Sequence, residues 1–65
     1  MMDVFNKEQK QYLIHTTKAS MAYHGWHVTT AMDMALQQLK MLEGGLDLYQ
    51  PAEIQALCEA ADSGY

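Results

Sequence analysis

Apolar residues recur along this chain at intervals of three and four over three separate stretches, with no useful run of strict alternation, and that period belongs to α-helices rather than strands. Placed at about 100° per residue, Met32, Ala35, Leu36, Leu39 and Leu42 fall within an arc of roughly 120°, the width of a buried stripe. Ile54, Leu57, Cys58 and Ala61 form another stripe, spaced i, i+3, i+4, i+7. In the first stretch Leu13 and Met21 share an arc with Thr17, Ser20 and His24; Tyr12, Ala19 and Tyr23 widen it, and Ile14 borders its far side. So wide a face calls for more than one neighbour, which a three-helix monomer supplies and a dimer supplies more easily.

Local signals place the boundaries. Asn6 followed by Gln9 is a capping-box pattern and Gly25 suits the left-handed position after a helix, which predicts a first helix over about 7–24. Thr30 is the expected cap of a second helix over 31–43, with Asp33 near the amide dipoles of its first turn. That helix stops at Gly44 and Gly45; with Gly45 left-handed, Leu46 would pack back on Met41. Pro51 suits the first position of a third helix over 51–61, with Gln50 at the cap, Glu53 in the first turn and Tyr49 stapled onto Ile54. Residues 26–29 read as an extended connection pinned to the core by Trp26, and residues 62–65 as a frayed end. The expected architecture is an all-α, small three-helix bundle, residues 1–65 as a single helical domain, completed by dimerisation.

Composition narrows the function. A chain of 65 residues buries only about 60% of its unfolded surface, so its core is thin and self-association helps it. The single cysteine, Cys58, forms no internal disulfide, which points to a reducing compartment. With neither a basic-then-apolar leader pattern nor an apolar run of membrane length, the expected location is the cytoplasm, with no membrane partner. All four basic residues are lysines (Lys7, Lys10, Lys18, Lys40); without arginine, direct nucleic-acid binding is not expected. Residues 1–40 hold three acids and four lysines, whereas residues 41–65 hold Glu43, Asp47, Glu53, Glu59 and Asp62 and no base. This acidic end reads as a solvated surface, or alternatively as a nucleic-acid-mimic decoy that occupies the basic groove of another protein.

Reactive groups are few. His24 and His27, with Cys58, suggest a metal-binding sensory module, but Gly25 breaks the helix between the histidines and His15 lies on the polar side, so no metal or cofactor is expected. Cys58 sits within an apolar stripe, where burial hides a thiol from substrate. Ser20 and His24 are one turn apart with no oxyanion donor or orienting carboxylate in view, and Gly44-Gly45 ends a helix where a phosphate loop would open one. The 44–50 connection is too long for a helix-turn-helix, and the helix after it is acidic. The chain therefore reads as a non-enzyme.

What remains is a surface for another protein. Met34 and Met41, spaced i and i+7, project nearly opposite the buried stripe among Gln37, Gln38 and Lys40, and thioethers adapt to irregular partner surfaces. Met21 and Met32 add to this stock, and Phe5, Tyr12, Tyr23, Trp26 and Tyr49 are possible anchors. Trp26 and Leu39 are expected in the core; Tyr12, Met34, Gln38 and Met41 are the expected partner-binding residues. The function this supports is a small protein-binding modulator, an inhibitor acting by occlusion of a partner protein, of the kind encoded by phages and other mobile elements, and a homodimer.

Overall fold

The computed structural model describes residues 5–44 and 51–63, which fold as a small all-α bundle of three helices: α1 (Lys7–His24), α2 (Val28–Glu43) and α3 (Pro51–Asp62). The start of α1 is the expected capping box. Asn6 Oδ1 accepts the Gln9 amide at 2.8 Å, and Gln9 Oε1 accepts the Asn6 amide at 2.9 Å, so two otherwise orphaned donors are satisfied reciprocally. Gly25 ends α1 at φ +69°, and its amide donates to the Met21 carbonyl at 3.0 Å.

The second helix starts three residues earlier than predicted, and Thr30 lies inside it. Its cap is His27, whose Nδ1 accepts the Thr29 amide at 3.3 Å and lies 3.0 Å from the Thr29 hydroxyl. An imidazole nitrogen thus performs the task that serine, threonine, aspartate and asparagine usually perform. The early start leaves only residues 25–27 between α1 and α2, too short a link to swing Trp26 inward. Trp26 is 36% exposed and stacks on His24, with ring centroids 4.4 Å apart and planes 20° apart. The expectation that it pins the connection to the core is therefore corrected: its indole covers the end of α1.

Gly44 closes α2 at φ +71°, its amide donating to the Lys40 carbonyl at 2.7 Å. The expected roles of Gly45, Leu46, Tyr49 and Gln50 fall outside the described residues. Pro51 opens α3 as predicted, and Asp62 is still helical; beyond it the Ser63 amide donates to the Glu59 carbonyl.

The three helices share one core of Phe5, Leu13, Met32, Ala35, Leu36, Leu39 and Leu57, with Tyr12, Ile14, Ile54 and Cys58 packed around it. Helix α1 packs on both α2 and α3, which accounts for its wide semi-apolar face, and α2 touches α3 least. Thr17, buried among these residues, directs its hydroxyl to Met32 Sδ at 3.6 Å. No buried side-chain polar atom among the described residues lacks a partner. Leu42, expected in the stripe, is 72% exposed on the last turn of α2.

Phe5 is the feature the helical pattern does not predict. It precedes α1, lies outside any periodic stretch, and is the largest fully buried side chain. Its amide donates to Glu53 Oε2 at 3.0 Å across 48 residues of sequence, so the first turn of α3 holds the segment that enters α1.

Candidate docking face

Helices α1 and α2 run side by side and leave a shallow trough along their outer edge. At one end Asn6, Glu8, Gln9, Tyr12, Leu39, Leu42 and Glu43 surround an open hollow of about 250 Å³. In the middle, Tyr12, Gln38, Met41 and Leu42 surround another of about 230 Å³. At the far end, His15, Thr16, Ala19, Ser20, Tyr23 and His24 of α1 face Gln38 across a third of about 510 Å³. Tyr12, Leu42 and Gln38 each border two of the hollows, so the three form one continuous surface.

Helical spacing builds this surface. On α2, Met34, Gln38, Met41 and Leu42 follow i, i+4, i+7, i+8, which is a second stripe beside the buried one. On α1, Tyr12, Ala19 and Tyr23 form the facing row. The Tyr12 hydroxyl donates to Gln38 Oε1 at 3.3 Å and ties the two rows together. Met41 is 85% exposed, Leu42 72% and Met34 40%, while Tyr23 is also exposed. Three of the four predicted partner-binding residues, Tyr12, Gln38 and Met41, thus meet in one hollow, and Met34 lies one turn from Gln38 on the same row. Leu42, expected in the core, and Tyr23, expected only as a possible anchor, also border this surface.

No family model, curated protein or solved structure matches this chain.

The acidic residues of the C-terminal third have different partners. Glu43 accepts from Gln9 Nε2 at 2.7 Å, and Glu53 is half-buried with its carboxylate on the Phe5 amide. Glu43 is thus an exposed carboxylate that also ties α2 to α1, whereas Glu53 is partly withdrawn from solvent. Glu59 accepts from Gln55 Nε2 at 3.5 Å along α3, Asp62 is exposed at the end of that helix, and Asp47 lies outside the described residues.

The proposed metal residues are likewise apart in role. His24 stacks on Trp26, His27 caps α2, and Cys58 packs against the core from α3. Among the described residues, no three histidine, cysteine or acidic side chains are grouped to hold a metal ion, and no helix is long and apolar enough to cross a membrane. A further open hollow, about 590 Å³, is bordered by Gln11, Ile14, His15, Lys18, Ala19 and Ala22. All six belong to α1, so among the described residues it is a patch on the outside of one helix.

Burial raises the Cys58 thiol above its ordinary range, and the carboxylates of Asp33 and Glu59 push it further the same way. Less of the reactive thiolate is present near neutrality. Alkylation by iodoacetamide at mildly alkaline pH is expected to be several-fold slower in the folded chain than in urea, with Asp33→Asn restoring part of the rate. Equal rates in both states would contradict the placement of Cys58. In linkage terms the unfolded thiol ionises first, so stability falls as pH rises past the usual thiol range.

Proposed function

We propose that this chain is a non-enzymatic protein-binding modulator that inhibits a partner protein by lying over part of its surface, with the α1/α2 trough as the contact. The observation that carries this reading is the meeting of Tyr12, Gln38 and Met41 in one hollow, flanked by outward Met34 and Leu42. Exposed thioether and leucine side chains beside a tyrosine combine adaptable apolar area with a rigid anchor, the mixture that protein interfaces favour. The hollows are open and shallow, a form suited to the side chains of another polypeptide rather than to an engulfed small molecule. A reducing cytoplasm, as the lone Cys58 suggests, is the setting that fits it.

The acidic decoy is the rival to separate. Wild-type chain, a Met34→Asp, Met41→Asp variant and a Glu43→Gln, Glu59→Gln, Asp62→Asn variant are compared as affinity baits, with circular dichroism checking that each stays helical. The expected partner is retained by the wild type and the amide variant in raised salt, and its affinity falls roughly 100-fold with the paired aspartates. Loss of the partner with the amide variant, together with steep salt sensitivity, would assign binding to the acidic residues.

A further inference from the structure

Resting on the reading of the trough as a docking face, we infer that a second copy of this chain occupies it, packed antiparallel about a two-fold axis beside Gln38. The apolar residues of α2 are placed evenly about that position. Met34 lies one turn before Gln38, and Met41 and Leu42 one turn after, about 6 Å either way at 1.5 Å per residue. A two-fold rotation therefore sets Met34 of one copy on Met41 and Leu42 of the other, and repeats the contact on the far side.

Gln38 itself suits the axis. A residue on a two-fold meets its own image, so a lysine or glutamate there would repel, whereas a carboxamide both donates and accepts. The Tyr12 hydroxyl donates to Oε1, so in this pairing Nε2 is the atom of the carboxamide that donates across the axis. The ends of the trough are also complementary. Glu8 and Glu43 border one end, and His15 and His24 border the other. Antiparallel pairing turns the carboxylates of each copy toward the imidazoles of its mate, whose N–H groups donate to them.

Size sets the strength. The two longer dimensions, 30 and 24 Å between Cα atoms, outline a face on the order of 700 Å², comparable with the roughly 800 Å² per partner of a standard stable interface, and the trough takes up only part of it. The dimer is therefore reversible, and a target protein that uses the same face must compete with the second copy for it.

Sedimentation of the purified chain over micromolar to millimolar concentrations tests the pairing. The mass is expected to rise from 7.4 kDa to twice that value, and Met41→Asp with Leu42→Asp is expected to weaken association roughly 100-fold while helicity is retained. In a Cys58→Ser background, Gln38→Cys is expected to cross-link into a dimer on mild oxidation, and Gln55→Cys on exposed α3 is not. A wild type that stays at 7.4 kDa throughout overturns the inference, as does a dimer insensitive to the paired aspartates or one in which Gln38→Cys fails to cross-link. If the aspartate variant loses helicity, the cross-link alone decides. A monomeric chain whose partner capture still depends on Met34 and Met41 would remove the second copy and leave the docking face standing; a self-paired chain with capture indifferent to those methionines would do the reverse.

Discussion

Phe5→Ala is expected to remove a large part of the stability of the bundle. Phe5 is 1% exposed and lies in the same cluster as Leu13, Met32 and Leu57, so truncation removes a ring from the core that all three helices share. Buried phenylalanine truncations cost about 3–5 kcal/mol through lost transfer energy and an incompletely relaxed cavity. A domain of 65 residues has only about 3–10 kcal/mol of net stability to lose. The loss should appear as a large fall in the urea midpoint followed by far-ultraviolet ellipticity. A variant that melts within a few degrees of the wild type would mean that Phe5 is not part of the core.

The second large effect sets two leucines of one helix against each other. Leu39 is 4% exposed and Leu42 is 72% exposed, although both fit the same periodic stripe. Leu39→Ala is expected to cost about 2–5 kcal/mol, and Leu42→Ala less than about 0.5 kcal/mol. Urea titrations at low micromolar concentration keep self-association out of the comparison. The order of the two midpoints checks the packing of α2: comparable losses would place Leu42 inside.

Those two leucines also show how much could be read in advance. Helix identity, the capping box at Asn6, the left-handed Gly25 and the stripe of α3 are local properties, determined by residues within one or two turns, and the structure has them where the pattern puts them. Periodicity gives the angle of a side chain about its helix but not whether a neighbouring helix extends far enough to cover it, which is why Leu42 was assigned inward. The start of α2 was displaced because an imidazole cap at His27 is outside the usual preferences. Phe5 was legible only as a candidate anchor, since its burial depends on Glu53 from the other end of the sequence. The outward direction of Met34 and Met41 followed from spacing, whereas their grouping with Tyr12 of α1 needed the pairing of two helices.

The bond from the Phe5 amide to Glu53 also orders events during synthesis. The ring that completes the core is translated 48 positions before the carboxylate that anchors its backbone. At about 5–20 residues per second, some seconds separate the two. Until α3 emerges, the nascent α1/α2 hairpin lacks the cover of Ile54, Leu57 and Cys58, and its apolar face stays open to water.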